Sequence, residues 1–258
     1  MTRPSKFISR LTPERATALL VTLAPLVYFY PAVMGRLILC PDDGLLQNVP
    51  LRVAASRILL GGSLPLWNPY IFSGMPLLGA AQAGLLFPLN WFYLAFSAPV
   101  ATNMMVISTY MLAALGAYLY ARRSGASLAG AAVTSLVWQF GGVLVAQLSH
   151  INIVQVAAML PWVLWALDGY AAGLGRRWGF WLAAFVALQV FVGHPQTLVY
   201  SVLLVSAYAV VMALAERRNR ARYLWSLAFL AAGLALAAVQ ILPTLELLRN
   251  SPRGTATF

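Results

Sequence analysis

The sequence predicts an all-α fold, a polytopic bundle of about seven transmembrane helices with a long loop after the first. Three observations carry that expectation. The 258-residue chain is 61% hydrophobic and 9% charged, against roughly 25% charged residues in a soluble domain. Its mean hydropathy is +0.79. Apolar runs of about 20 residues recur along it, the length that a hydrocarbon core of about 30 Å demands.

Residues 1–16 form a basic start with Arg3, Lys6, Arg10 and Arg15. The first span is expected over residues 17–39. That run is too long for a signal peptide and no small-x-small cleavage site follows it, so it reads as a retained anchor. "LILC" closes the run, but bulky Leu39 stands where a lipidation box requires a small residue before Cys40. Cys40 is the one cysteine, which excludes an internal disulfide and a cysteine-based metal cage.

Residues 40–99 form the long loop. Pro50 suits the first turn of a helix. Beyond it Leu51, Ala54, Ala55, Ile58 and Leu59 recur at helical spacing, with Arg52 and Ser56 on another face. This pattern predicts an amphipathic helix lying at the membrane interface. "GGSLPLWNPYIFSGMP" then reads as a Gly/Pro-punctuated loop that places Trp67, Tyr70 and Phe72 at headgroup level. The bundle occupies residues 100–243, with spans at 100–121, 128–149, 151–171, 178–194, 196–215 and 222–243 joined by short turns. Residues 244–258 form a tail.

The net charge of +11 does not point to nucleic acid, because the basic residues sit in short clusters between apolar runs. Twelve of the 17 fall at the amino terminus and on alternate connections: Arg122 and Arg123, Arg176 and Arg177, and Arg217, Arg218, Arg220 and Arg222. The positive-inside rule makes that side cytoplasmic. The 40–99 loop and the tail then face outward.

Sorted by side, the polar residues collect outside. Asp42, Asp43, Gln47, Asn48, Asn68 and Gln82 lie on the loop. His150 and Asn152 cap the turn between spans three and four, with Gln155 one helical turn inside. Gln189 lies in the outer part of span five, and His194 and Gln196 stand in the "GHPQT" turn. Gln240, Glu246 and Arg249 end the last span. Polar groups in a bilayer are costly unless they pair or line a wet cavity. Each Gln or Asn alone is as well explained by helix bridging, but their clustering predicts one outward pocket. In it His150, Gln155, Gln189, His194 and Gln240 approach the 42–47 segment. Glu14, Asp168 and Glu216, on the opposite side, read as solvated loop ends, and Gln139 is the strongly polar residue near mid-depth.

"DGLLQNVP", "LPLWNPYIFSGMP", "AAQAGLLFPLNWFY" and "GHPQTLVY" together resemble the bacterial YfhO family, a branch of the GT-C superfamily of polytopic glycosyltransferases. The resemblance runs from about residue 17 to the end. It implies a GT-C-like bundle in the cytoplasmic (inner) membrane, surrounded by lipid. It implies transfer of a sugar from a polyprenyl-phosphate donor to an extracytoplasmic acceptor such as a cell-envelope polymer, glycan or lipid. It further implies an acidic base on the first outer loop. In the D-G-x-x-Q-x-x-P pattern that residue is Asp43, followed by Gln47 and Pro50, while the extra neighbour Asp42 leaves the choice between the two open.

Donor-phosphate contacts are implied for His194 and for the Glu246–Arg249 region. Gln47, Arg52, Asn68, Gln82, His150, Gln155, Gln189 and Gln196 complete the substrate-binding candidates. The resemblance assigns no definite cofactor. A second carboxylate raises its neighbour's pKa by like-charge repulsion or holds a divalent cation, and the sequence leaves both open. Members of that family are usually longer, so a truncated chain is expected, with a non-catalytic scaffold as the alternative. A transporter or flippase would place ionisable groups at the midplane. The spans lack them, although Pro161 interrupts span four.

Overall fold

The computed structural model describes residues 12–251. The basic start up to Leu11, with Arg3, Lys6 and Arg10, lies outside the described residues, as does the tail from Pro252, with Arg253. The fold is helical throughout, apart from one hairpin of two-residue strands.

Helix α1 (Pro13–Tyr28) starts on Thr12, whose hydroxyl accepts from the Arg15 amide, and a single turn, α2 (Tyr30–Val33), follows a break at Phe29. A π-helical turn (Gly44–Asn48) leads into α3 (Val49–Leu60). Strands β1 (Trp67–Asn68) and β2 (Met75–Pro76) pair antiparallel, Trp67 opposite Pro76. A 3₁₀ turn (Pro88–Trp91) and α4 (Phe92–Ala95) then deliver the chain to α5 (Ala98–Arg123).

The bundle continues through α6 (Leu128–Phe140), capped by the Ser127 hydroxyl, and α7 (Gly142–Ala146). A 3₁₀ turn (Leu148–His150) precedes α8 (Ile151–Ala171). Helices α9 (Arg177–Val192), α10 (Pro195–Ala215), α11 (Arg220–Leu236) and α12 (Ala238–Arg249) complete it. Gly193, at φ 82°, ends α9 in the left-handed region. A side chain there would collide with the Ala81 carbonyl, so glycine also lets the loop close on this turn.

Helix α5 is the hub, packed on α8, α6 and α1, and α8 carries the contact on to α9. Buried alanines recur on both helices, Ala101, Ala113, Ala114 and Ala117 on α5 and Ala158, Ala166 and Ala171 on α8, and Ala101, Ala113 and Ala158 share one core. Small side chains let backbones approach where lipid supplies no hydrophobic drive between helices. One core joins Phe29, Leu39, Tyr93, Met105, Tyr110 and Val154, tying the loop to the bundle. A second joins Leu167, Leu182, Val186, Val205 and Leu230 across α8 to α11. Leu20, Val27, Phe180, Leu203 and Leu214 stay exposed, as helices surrounded by acyl chains leave them.

Four helical stretches are long and apolar enough to cross a membrane: Ala98–Arg123, Leu128–Ala146, Leu148–Ala171 and Pro195–Ala215. The α11–α12 pair makes a fifth if its 67° bend lies within one span. This is a membrane protein by helix length and composition. The runs expected over 17–39 and 178–194 are shorter as helices, 16 residues each in α1 and α9. Phe29 breaks the first, and Gly193 stops the second.

Two ends result. At one, the Tyr118 hydroxyl donates to the Glu14 carbonyl at 3.0 Å, Arg122 pairs with the Glu14 carboxylate, and Arg123 donates to the Trp165 carbonyl. Asp168 corrects the reading of this end as solvated. It is part-buried, and the Tyr208 hydroxyl sits 3.0 and 3.1 Å from its two oxygens, because the α8–α10 packing folds it inward. Glu14 and Glu216 are exposed as expected. At the other end lie residues 40–96 and the 147–152 and 193–196 turns.

Candidate active site

Helix α3 is built around a charge. Arg52 is 2% exposed, and no carboxylate pairs with it. Its Nε donates to Asn90 Oδ1 at 3.1 Å, Nη1 to the Asn48 carbonyl at 3.1 Å and to Asn48 Oδ1 at 3.3 Å, and Nη2 to Asn152 Oδ1 at 2.6 Å. Gln155 Nε2 also donates to Asn90 Oδ1 at 3.1 Å, and Asn90 Nδ2 donates to the Gly84 carbonyl at 2.8 Å. Asn152 Nδ2 donates to the Gln82 carbonyl at 2.9 Å. The cage fastens α3, the 82–90 loop and α8 together. Desolvation holds the guanidinium down to about 10, so it remains charged at neutral pH.

This revises the expected polar face of α3. Arg52 and Ser56 are as buried as Leu51, Ala54 and Ala55, because the loop covers one side of the helix and the bundle the other. Arg52 is thereby a clamp, closed off from a substrate.

The two carboxylates differ. Asp42 adopts φ 44°, the left-handed region that aspartate tolerates better than most residues, and so makes the corner into the π turn. Asp43 follows, half-exposed, and its Oδ2 lies 3.2 Å from His150 Nε2. The Ser149 hydroxyl lies 3.1 Å from His150 Nδ1. Asn48 Nδ2 donates to both the Asp43 and the Ser149 carbonyls at 3.5 Å, bridging the two turns.

One turn past Asp43, Gln47 hydrogen-bonds the Gln82 side chain. Both line a groove of about 770 Å³ between α3 and the hairpin, with Asn68, Arg57 and apolar Leu46, Val53, Ile71, Phe72 and Met75. Asn68 Oδ1 accepts from the Tyr70 amide at 3.0 Å, shaping the groove wall. Within a ligand-sized cleft of this kind, mostly apolar walls with a few convergent polar groups are the usual arrangement.

Around the 42–47 segment the structure gathers His150 directly, and Gln155 through the Arg52 cage. Gln240 reaches the loop from elsewhere, donating to the Leu78 carbonyl at 2.7 Å. Gln189 does not join them. It bridges helices, donating to the Val156 carbonyl at 3.0 Å and to Ser201 Oγ at 2.9 Å. His194 caps α10, its Nδ1 accepting from the Thr197 amide at 3.3 Å. Burial lowers its proton affinity, and a protonated His150 would lower it further. It lines a separate apolar cleft of about 210 Å³ with Gln240 and Thr244. Gln196 donates to the exposed Tyr200 hydroxyl at 2.8 Å. Glu246 and Arg249 are exposed on α12 and make no ion pair among the described residues.

The expected single pocket is thus a groove plus an amide scaffold, because most amides are used up on loop carbonyls. Asn90, Ser149 and Arg57 are new to the site. Asn90 stands inside "FPLNWFY", where a polar residue between aromatic ones was a readable signal. Among the described residues, no group of three or more His, Cys, Asp or Glu converges as a metal site. No family model, curated protein or solved structure matches the chain.

Proposed function

We propose that this chain is a membrane glycosyltransferase of GT-C type, as its resemblance to the YfhO family implies. It moves a sugar from a polyprenyl-phosphate donor to an extracytoplasmic acceptor. On this reading it spans the bacterial cytoplasmic membrane seven times, with the arginine-rich end inside and the 40–99 segment outside. Helices α1 and α9, at 16 residues, each reach about 24 Å, so flanking residues complete those two crossings.

The observation that carries the reading is the setting of Asp43. A half-exposed carboxylate with no arginine partner among the described residues stands one turn before Gln47, and it is Gln47 that lines an apolar groove with amides in its wall. A sugar on a lipid phosphate already has a good leaving group, so the protein needs a base and a means of alignment. Asp43 supplies the base. Gln47, Asn68 and Gln82 suit hydroxyl recognition, and the groove's apolar wall suits a long chain. Asp42 is assigned to the turn because its backbone, rather than its side chain, is what the local structure requires.

The test is transfer of label from a polyprenyl-phosphate sugar in membranes that contain or lack the protein. Transfer that depends on the protein is the expected result. Equal incorporation in both membranes, across the common donor sugars, would refute the reading.

A further inference from the structure

We propose that His150 is the positioning residue of Asp43, held in one tautomer by Ser149. The inference rests on the reading of Asp43 as the base. In the neutral imidazole one ring nitrogen donates and the other accepts. Nε2 lies 3.2 Å from Asp43 Oδ2, and because a carboxylate only accepts, the ring proton is assigned to Nε2, facing that oxygen. Nδ1 then accepts from the Ser149 hydroxyl at 3.1 Å. This pair of contacts holds Oδ2 and leaves Oδ1 without a hydrogen-bond partner among the described residues.

The backbone is arranged for the contact. The 148–150 turn packs against the 44–48 turn, and the Asn48 amide spans both. Gly44 sits where the two turns meet, although the contact does not depend on its lacking a side chain. A Cβ there would sit 3.3 Å from Cys40 Sγ and 3.6 Å from the Ser149 carbonyl. The charged groups nearby are Asp42 on the same segment, Arg52 on α3 and His194 at the α9–α10 turn. Arg52 is enclosed by amides, which leaves the imidazole as the one basic group in contact with the Asp43 carboxylate among the described residues.

In the transfer step the acceptor O–H bond breaks as its oxygen bonds the anomeric carbon. The bond from that carbon to the donor phosphate breaks, with its electron pair leaving on the phosphate. The proton passes to Asp43 Oδ1 and from there to water, which reaches the half-exposed pair. His150 keeps its proton throughout and serves to hold the angle of the carboxylate.

The test uses the full chain in nanodiscs, labelled with ¹⁵N-histidine. Only two histidines are present, and His194→Gln assigns the signals. His150 is expected as the Nε2–H tautomer in the parent protein and as a mixture in Asp43→Ala. An unchanged tautomer would overturn the proposal without reference to any enzyme activity. In the transfer assay His150→Ala is expected to lower kcat by about 10²-fold, the scale of a misaligned reacting group, with KM within about twofold. Added imidazole should restore part of kcat, and His150→Gln, which can still donate to Oδ2, should retain more rate than His150→Ala. Full activity of His150→Ala would sink this proposal alone, whereas full activity of Asp43→Asn would remove the base it rests on.

Discussion

Two arginines, Arg52 buried and Arg123 part-buried, stand at opposite ends of the molecule and are stabilised in opposite ways. Arg123 lies between two indoles, its guanidinium carbon 4.5 Å from the Trp165 ring centre and 4.0 Å from that of Trp178. Arg52 has neither a π face nor an acid, only the oxygens of Asn48, Asn90 and Asn152. The difference teaches what each end is for. Carboxylates at the first end are tied up, Glu14 by Arg122 and Asp168 by Tyr208. At the second, amides satisfy the arginine, and Asp43 has no arginine partner among the described residues. An Arg52–Asp43 ion pair would have made a firmer loop and a weaker base.

The comparison breaks most completely if the two ends share a side of the membrane. Leu45→Cys and Arg218→Cys, each in a Cys40→Ser background, sample them in intact cells. An impermeant maleimide should label position 45 and spare position 218. Equal labelling, or labelling of 218 alone, would overturn the orientation.

Stability sharpens it next. Arg52→Met leaves Asn48 Oδ1 and Asn152 Oδ1 buried without their donor, at about 1–3 kcal/mol for each unsatisfied group. A loss of about 3 kcal/mol is expected in SDS-titrated mixed micelles. Arg123→Leu keeps an apolar side chain between the indoles and loses the cation–π contacts, for about 2 kcal/mol. The reverse order of the two losses would mean that the amide cage is incidental.

Much of this end was legible in the sequence. Gln47, Gln82, Asn152 and Gln155 fell at matching depths once the basic clusters had oriented the spans. Their use was harder to read. Period alone set Arg52 opposite the apolar face of α3, and only the covering loop shows why a guanidinium is buried there. Asn103 is one polar residue in the apolar run of α5. It accepts from the Leu39 amide at 2.9 Å and donates to the Leu37 carbonyl at 2.8 Å, contacts more than 60 residues away in the chain that no local pattern encodes. The bend at Ala237 has no glycine or proline at the break to announce it. The Asp42–Asp43 choice was open for the same reason, since a left-handed φ is a property of the folded corner.

The central claim is that Asp43, held by His150, is the base of a sugar transfer. Asp43→Asn and Asp42→Asn, compared side by side in the polyprenyl-phosphate sugar assay at equal membrane insertion, test it most directly. Asparagine keeps the shape of aspartate but cannot take the acceptor's proton. Asp43→Asn is expected to lower transfer by about 10²–10⁴-fold, while Asp42→Asn, whose backbone turn asparagine also accepts, retains most of it. Near-normal transfer by Asp43→Asn, or an inactive Asp42→Asn beside it, would contradict the assignment.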